Sequence, residues 1–184
     1  DYIGFVFAPG KRQLSPAAAA SLRAGLAPGI AAVGVFVNQN VDEVALLCRA
    51  GVIDIVQLHG DEDTRYIARL KKQICVPVIK AVPVGNALPE LPTAADYLLF
   101  DTLSAQRGGS GQRFDWALLQ GVHRPYFLAG GLAPANVAEA MDAPRPYAVD
   151  VSSGVETDGW KDPAKKEEWI NVVRAREADR RIAT

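Results

Sequence analysis

The sequence predicts an α/β protein of the (β/α)8 TIM-barrel type, on three observations. Short apolar segments rich in branched and aromatic residues alternate with amphipathic helical segments along the chain. The apolar segments lack in–out alternation, which is typical of parallel strands buried on both faces. Seven strands can be assigned, whereas a closed barrel needs eight. We therefore expect one domain over residues 1–184 with seven of the eight strand–helix units, and a leading unit before Asp1.

Three strand–helix units are predicted in the first part of the chain. Their strands are Ile3–Ala8, Ile30–Val37 and Ile53–Leu58, and their helices cover about 16–26, 41–50 and 61–73. Ser15 followed by Pro16 is typical of a helix N-terminus, because serine caps free N–H groups and proline fits the first helical position. Acids open the third helix and lysines close it, as the helix dipole favours.

The second part of the chain continues the alternation. Its predicted strands are Val76–Val82, Tyr97–Phe100, Tyr126–Ala129 and Tyr147–Val151. A proline-broken stretch up to residue 93 is expected to be weakly helical, and further helices are expected from Asp115, from Pro134 and over Pro163–Arg180. In the last helix, four apolar residues at helical spacing predict one buried stripe, formed by Trp169, Ile170, Val172 and Val173.

Composition limits the classes of function. The chain is 49% hydrophobic and 22% charged with a formal net charge of −1, which gives no electrostatic footprint for nucleic acid. No apolar run approaches the roughly 20 residues that span a bilayer, and no signal-peptide pattern precedes the first strand. Cys48 and Cys75 are too few for a disulfide framework and lack metal-ligand spacing. We expect a cytoplasmic protein with no nucleic-acid or membrane partner and no metal.

Two glycine-containing turns predict a phosphate site. The strand Tyr126–Ala129 runs into Gly130-Gly131, and the strand Tyr147–Val151 runs into Ser152-Ser153-Gly154. Glycine lets a backbone approach a ligand closely, and free N–H groups at a strand-to-helix turn favour an anion. Each turn alone is more simply a tight turn or a helix cap. Two of them in succession match the loops after the last two strands of a barrel, where phosphate usually binds.

Several motifs together resemble a known family. They are IGFVFAPGKR, VGVFVN, VQLHGDE, LLFDT, GGSGQRFDW, LAGGLAPANV and AVDVSSGVE, in an order and spacing that cover nearly the whole chain. The chain is similar to phosphoribosylanthranilate isomerases, (β/α)8 enzymes of tryptophan biosynthesis. The resemblance implies an Amadori rearrangement of N-(5′-phosphoribosyl)anthranilate by general acid–base catalysis without a cofactor. It also implies a phosphorylated small-molecule partner, and we expect a monomer, with a dimer as the alternative.

The resemblance assigns roles to three residues at strand exits. Asp101 stands where the family has its general acid, although aspartate before threonine is also common as a turn or cap residue. Arg12 matches the arginine that holds the anthranilate carboxylate, and the alternative is a solvated loop charge. Histidine is by residue type a natural candidate for acid–base work, and His59 follows a strand. Because the resemblance places catalysis elsewhere, we expect His59 to line the substrate site.

Two further segments are expected to contact substrate. Gly108, Gly109 and Ser110 lie in a long loop that we interpret as a lid, since Phe114 and Trp116 would anchor its far end; the alternative is a flexible linker. Asp150 ends the last strand beside the phosphate turns. Its carboxylate would repel phosphate, so we expect it to accept from a sugar hydroxyl or to orient neighbouring N–H groups.

The sequence departs from the family in one motif. The family's general base is a cysteine in a K-I-C-G-like motif, which this sequence does not contain, and Cys48 and Cys75 fall on a helix and at a strand start. One hypothesis is an isomerase whose first unit precedes Asp1. The second is a non-catalytic relative that binds a sugar phosphate. The third is a synthase of the same pathway. Only one lysine, Lys80, lies within a predicted strand, and this argues against a synthase.

Overall fold

Parallel strands in chain order dominate the computed structural model, which describes residues 1–103 and 113–182. Within those residues, seven strands form one sheet in the order β1 to β7, and β8 and β9 form a separate antiparallel hairpin. The strands are β1 Tyr2–Val6, β2 Ala31–Phe36, β3 Ile55–Leu58, β4 Val78–Val84, β5 Tyr97–Thr102, β6 Tyr126–Leu128, β7 Ala148–Val149, β8 Glu156–Thr157 and β9 Trp160–Lys161. The predicted α/β class is confirmed.

Helices follow most of the strands. They are α1 Pro16–Ala24, α2 Val41–Arg49, α3 Thr64–Lys71, α4 Val137–Asp142 and α5 Pro163–Ile182, with short 3₁₀ helices at Trp116–Leu119 and Ser153–Val155. The predicted cap of α1 is confirmed, because the Ser15 side chain accepts from the Ala18 N–H over 3.2 Å. None of the described helices is long and apolar enough to cross a membrane.

The described chain divides into two compact units. The first comprises Asp1–Ala81 and Leu91–Leu98, and the second comprises Val82–Glu90 and Leu99–Thr184. In the first unit, β1 to β4 pair in parallel, so their carboxyl ends lie at one edge of the sheet. In the second unit, β6 and β7 pair in parallel. Each unit therefore presents its own set of strand-exit loops.

Two aspartates clamp the strand starts of the first unit in the same way. The Asp54 N–H, just before β3, donates to Ala32 O over 2.8 Å, and the Asp54 carboxylate accepts the Ala32 N–H over 2.8 Å and Arg23 Nη2 over 2.9 Å. Asp96, just before β5, repeats every contact. Its N–H donates to Val78 O over 2.9 Å, and its carboxylate accepts the Val78 N–H over 2.8 Å and Lys71 Nζ over 2.5 Å. The loop before a strand is thereby tied to the preceding strand of the sheet and to a helix end.

Each unit has a buried apolar core. In the first unit, fully buried side chains of the strands meet those of the helices, among them Val56, Leu58, Val78, Ile67 and Leu70. In the second unit, Phe100 packs edge-on against Tyr126 with ring centroids 5.2 Å apart. Burial raises the pKa of Tyr126 to about 12. The strands that lead to the exit loops are therefore packed into a buried core in each unit.

Three of the predictions of local structure need correction here, and one hairpin was not predicted. The stretch after β4 contains no helix at residues 85–93, because Pro89 and Pro92 cannot continue one. Helix α4 begins at Val137 rather than Pro134, since residues 134–136 form a turn. Ile170 is 52% exposed, so the buried stripe of α5 does not include it. The β8–β9 hairpin had no signal in the sequence beyond a turn at Asp158-Gly159, whose residues both have positive φ.

Candidate functional site

Arg12 lies in an exposed turn that follows β1. The turn folds back onto the strand that precedes it, because the Leu14 N–H donates to Val6 O over 2.7 Å. The Gln13 side-chain amide donates to Phe7 O over 3.2 Å and closes the turn from its other side. The chain therefore presents the Arg12 guanidinium on a short, tied loop at the strand exit.

His59 is half-buried directly after β3. Its backbone N–H donates to Phe36 O over 2.8 Å, which fastens it to the end of β2. The side-chain amide nitrogen of Gln57, two residues earlier on the same face of the strand, lies 3.0 Å from His59 Nδ1. Gln57 is only 7% exposed. Both the backbone and the ring of His59 are thus anchored within the first unit.

A buried ion pair binds the backbone on both sides of His59. Lys80 Nζ donates to Leu58 O over 3.3 Å, to Gly60 O over 2.7 Å and to Glu62 Oε2 over 3.1 Å. The side chains of Lys80 and Glu62 are 9% and 1% exposed. Since an ammonium has three donors, these contacts satisfy Lys80 completely. The two carbonyls that it binds belong to the residues immediately before and after His59.

Glu62 links the exit loop of β3 to that of β2. Its carboxylate accepts the Asn38 N–H over 2.7 Å and the Gly60 N–H over 2.9 Å. The Asn38 side chain in turn accepts the Asp61 N–H over 2.7 Å. A Cβ at Gly60 would lie 2.4 Å from Asn38 Oδ1, so only glycine lets the two loops approach this closely. One carboxylate therefore organises the backbone of two neighbouring loops.

In the second unit, Asp101 lies near the end of β5 against the glycine turn after β6. Asp101 Oδ1 accepts the Thr102 N–H over 2.8 Å. The Ala129 N–H donates to Phe100 O over 2.8 Å and aligns the end of β6 with β5. Gly130 has a φ of +83°, and a Cβ there would lie 2.9 Å from Asp101 Oδ1 and 2.4 Å from Thr102 Oγ1. The structure therefore brings Asp101 and Gly130 into contact.

The two glycine-containing turns contact each other. Gly131 also has a positive φ, +65°, and its carbonyl accepts from Asn136 Nδ2 over 2.9 Å. Asn136 Oδ1 accepts the Ala133 N–H over 2.9 Å, so one side chain braces the first turn. A Cβ at Gly154 would lie 1.9 Å from Leu132 O. The second turn is consequently packed directly against the first through its glycine.

Asp150 is exposed at the end of β7, where its N–H donates to Leu128 O over 2.8 Å. Ser152 follows it, and Ser153–Val155 form a 3₁₀ helix rather than the start of an α-helix. This arrangement places Asp150 and the serines at the same sheet edge as the Gly130-Gly131 turn.

The β8–β9 hairpin brings a cation to the second turn. Lys161 Nζ donates to Ser152 O over 2.7 Å and lies 3.2 Å from Glu156 Oε1. The hairpin is thereby tied to the residue that precedes the 3₁₀ helix. Sequence reasoning missed Lys161 because the contact depends on the hairpin that was not predicted.

Three expected site residues, Gly108, Gly109 and Ser110, lie outside the described residues. Cys48 lies on α2 and is half-buried, and burial raises its pKa to about 11. Cys75 is exposed in the loop before β4. His123 is exposed in the loop before β6, where a cleft of about 340 Å³ is lined by Val122, His123, Arg124, Pro125, Tyr126, Pro144, Arg145 and Tyr147. Neither cysteine lies at a strand exit.

Gln57 and Glu62 were also missed by sequence reasoning. One signal was present, because Lys80 interrupts an apolar strand and a buried lysine requires a partner. The sequence offers several acids as that partner, and only the pairing of β3 with β4, Leu58 opposite Lys80, selects Glu62. Gln57 resembled an ordinary polar residue in a strand and carried no signal of its own.

Comparisons with known proteins agree with one another. The family model described as N-(5′-phosphoribosyl)anthranilate (PRA) isomerase matches residues 1–172. The N-(5′-phosphoribosyl)anthranilate isomerase of Endomicrobium trichonymphae is 49% identical, over 95% of this chain and 88% of that protein. The crystal structure of the phosphoribosyl anthranilate isomerase of Thermus thermophilus superposes with a TM-score of 0.82 at 36% identity, covering 95% of this chain and 88% of that one.

A second solved structure shows a ligand in a relative. A phosphoribosyl anthranilate isomerase in complex with reduced 1-(o-carboxyphenylamino)-1-deoxyribulose 5-phosphate superposes with a TM-score of 0.78 at 34% identity, over 95% of this chain and 88% of that one. The family model covers most of the chain, and both the sequence and the structural relatives carry the same name. The chain belongs to the N-(5′-phosphoribosyl)anthranilate isomerase family.

Proposed function

We propose that the protein isomerises N-(5′-phosphoribosyl)anthranilate to 1-(2-carboxyphenylamino)-1-deoxyribulose 5-phosphate, a step of tryptophan biosynthesis. Family membership supports the reaction. The observation that carries the assignment of the site is the contact of Asp101 with the first glycine turn, where Gly130 has no room for a side chain. An acid and an anion-binding backbone are thereby adjacent in one unit, as a phosphorylated sugar requires.

Asp101 is the general acid in this proposal. It protonates the ring oxygen of the ribose as the bond from C1′ to that oxygen breaks, which leaves a Schiff base on the anthranilate nitrogen. A base then removes the C2′ proton, and the resulting enolamine tautomerises to the ketone. The Thr102 N–H donates to the Asp101 carboxylate and fixes the orientation of that carboxylate at the end of β5.

The two glycine turns hold the phosphate in this proposal. Gly130 and Gly131 at one turn and Ser152, Ser153 and Gly154 at the other supply backbone N–H groups, and the contact of Gly154 with Leu132 keeps the turns together. Asp150 accepts from a sugar hydroxyl. In the first unit, we propose that Arg12 binds the anthranilate carboxylate and that His59 contacts the substrate, as the family resemblance implies.

The base at C2′ is not supplied by either cysteine of the chain. Cys48 lies on α2, where burial raises its pKa to about 11, and Cys75 precedes β4. A second candidate function is binding of a sugar phosphate without turnover. The two candidates differ in one measurement, because both predict binding of the phosphorylated ligand and only the first predicts product.

The test combines turnover with binding. The first candidate predicts that the chain converts N-(5′-phosphoribosyl)anthranilate to its isomer, which chromatography separates from the substrate, and that Asp101→Asn lowers kcat at least about 100-fold with little change in KM. Arg12→Ala should mainly raise KM, because the carboxylate is bound in ground and transition states alike. Binding of reduced 1-(o-carboxyphenylamino)-1-deoxyribulose 5-phosphate by a chain that does not convert N-(5′-phosphoribosyl)anthranilate would support the second candidate. If Asp101→Asn lowers kcat by less than about tenfold, Asp101 is not the general acid.

A further inference from the structure

A glutamine side chain in the first unit holds the imidazole of His59. Gln57 is buried on β3 at 7% exposure, and its amide nitrogen lies 3.0 Å from His59 Nδ1. An amide NH₂ group has hydrogens and no accessible lone pair, so it can only donate. In this contact Nδ1 is therefore the acceptor. A neutral imidazole carries one hydrogen, which must then reside on Nε2.

The backbone that carries this imidazole is held as firmly as the ring. The Lys80 ammonium binds the carbonyls of Leu58 and Gly60, which precede and follow His59, over 3.3 and 2.7 Å. The His59 N–H donates to β2 over 2.8 Å, and the next N–H, of Gly60, donates to Glu62 over 2.9 Å. Neither the peptide units nor the ring can turn without breaking one of these hydrogen bonds.

We propose that Gln57 is a positioning residue that fixes His59 as the Nε2–H tautomer, a hydrogen-bond donor toward a substrate oxygen and not a proton acceptor. The basic lone pair of a neutral imidazole is the one without a hydrogen, here on Nδ1. That lone pair already receives the Gln57 amide. A proton added at Nδ1 would face the hydrogens of the Gln57 amide and lose the bond, so His59 is withheld from the role of base at C2′.

This inference deepens the proposed function, since the substrate oxygen in question belongs to the phosphoribosyl or anthranilate group. It also removes the remaining obvious candidate for the base. By its place at a strand exit and the usual pKa range of its side-chain type, a histidine would be an obvious candidate for a base. The contact with Gln57 leaves His59 able to donate from Nε2 and unable to accept a proton at Nδ1 without breaking the hydrogen bond to Gln57.

The tautomer can be measured in the free protein. The full chain, labelled with ¹⁵N in its histidines, gives two imidazole patterns in a two-bond ¹H–¹⁵N correlation spectrum, because the sequence has only two histidines. The exposed His123 serves as an internal reference and is assigned with His123→Asn. Above the pH at which both rings are neutral, we expect His59 to show an unprotonated Nδ1 and a protonated Nε2. His123 should show the averaged pattern of exchanging tautomers.

Substitution of Gln57 tests the cause. Gln57→Leu should convert the His59 pattern to an averaged one, and Gln57→Glu should reverse it, because a carboxylate accepts and requires a hydrogen on Nδ1. Gln120→Leu, at an exposed position, is the matched control and should leave the His59 pattern unchanged. A hydrogen on Nδ1 in the unsubstituted protein would overturn the inference even if no variant folded, as would an unchanged pattern in a folded Gln57→Leu.

Turnover separates this inference from the proposed function. If the Nε2–H tautomer is found and the chain does not convert N-(5′-phosphoribosyl)anthranilate, the proposed function fails and the assignment of Gln57 stands. If the chain is active, Gln57→Leu should lower kcat/KM by about tenfold, and Gln57→Glu should not restore it. Full activity in a Gln57→Leu variant with an averaged tautomer would show that His59 does not donate to the substrate.

Discussion

Lys80 Nζ lies 3.1 Å from Glu62 Oε2, and both side chains are almost completely buried at the edge of the sheet where the strands end. The pair holds two exit loops in place, which a hydrophobic pair of the same volume could not do. It also makes each partner dependent on the other, because an unpaired buried charge is far more costly than the absence of both charges.

Removal of one partner of this pair should be strongly destabilising. We expect Lys80→Met to lower the free energy of unfolding by about 3–5 kcal/mol, since the Glu62 carboxylate remains buried without its counter-ion. The double variant Glu62→Gln with Lys80→Met should recover part of that loss, because no charge is left unpaired and the amide oxygen still accepts one of the two backbone N–H groups that Glu62 binds. Urea unfolding followed by circular dichroism measures all three proteins.

The exposed pair Lys71–Asp96 provides the control for the lysine substitution. Lys71 and Asp96 are 39% and 36% exposed in their side chains, so solvent already screens the pair. Lys71→Met should therefore cost no more than about 1 kcal/mol. Equal costs for Lys71→Met and Lys80→Met would contradict the role assigned to burial.

Asp96 should make stability depend on acid pH. Burial alone would raise the pKa of Asp96, but the hydrogen bonds from Lys71 and from the Val78 N–H outweigh burial and hold the pKa below the usual 3.8. A lowered folded-state pKa means that the stabilisation is fully present above the unfolded-state value and is lost as the pH falls through the folded-state value.

The pH dependence can be isolated by substitution. The urea midpoint of the unsubstituted chain should fall more steeply below pH 3.8 than that of Asp96→Asn, and the two curves should differ by a constant amount above about pH 5. Asp115→Asn, at the cap of a 3₁₀ helix, controls for the loss of any single carboxylate. Parallel curves for Asp96→Asn and the unsubstituted chain below pH 3.8 would show that the clamp carries no proton linkage.

The two cysteines should differ sharply in reactivity. At pH 8, a thiol with a pKa near 11 is only about 0.1% thiolate, and the thiolate is the reactive form. We expect iodoacetamide to modify the exposed Cys75 at least about 100-fold faster than the half-buried Cys48. Mass spectrometry of Cys75→Ala and Cys48→Ala variants gives each rate separately. The two rates should converge in concentrated urea, and a rapid reaction of Cys48 in the folded chain would reopen it as a candidate base.

The contact between the glycine turns should control binding of a phosphorylated ligand. Gly154→Ala forces a Cβ to within 1.9 Å of Leu132 O, so the backbone of one turn must move. We expect the affinity for ribose 5-phosphate, measured by titration calorimetry, to fall at least about tenfold, which corresponds to about 1.4 kcal/mol. Gly121→Ala is the matched control, because a Cβ there meets nothing within 4 Å. An unchanged affinity in Gly154→Ala would remove the phosphate assignment of the second turn.

Local signals in the sequence were sufficient for much of the fold. Ser15 and Pro16 predicted the start of α1 because capping depends only on neighbours in the chain. The seven strands of the parallel sheet were assigned in the correct order because buried parallel strands are continuous apolar runs, whereas the β8–β9 hairpin was not predicted. Ile170 was misplaced, since helical spacing alone does not say how far a buried stripe extends around a helix.

The candidate site was predictable only where one residue type carries the chemistry. The turn at Gly130 and Gly131 could be predicted because a strand that ends in glycines is a local pattern, and the structure gives both a positive φ; their contact with phosphate stays a prediction. Gln57 and Glu62 were not found, because each acts through a partner that strand pairing supplies from elsewhere in the chain. The roles of Asp101 and Arg12 remain predictions that the turnover experiments test.

The repeated aspartate clamps have a consequence for how such a protein can change. Asp54 ties the start of β3 to β2, and Asp96 ties the start of β5 to β4. These contacts involve no exit-loop residue. Insertions or deletions in the loops at the opposite strand ends leave those clamps untouched. The contacts that hold the strand starts are therefore independent of the residues in the exit loops. Related proteins can change their exit loops, and with them their substrates, while they keep the same clamps.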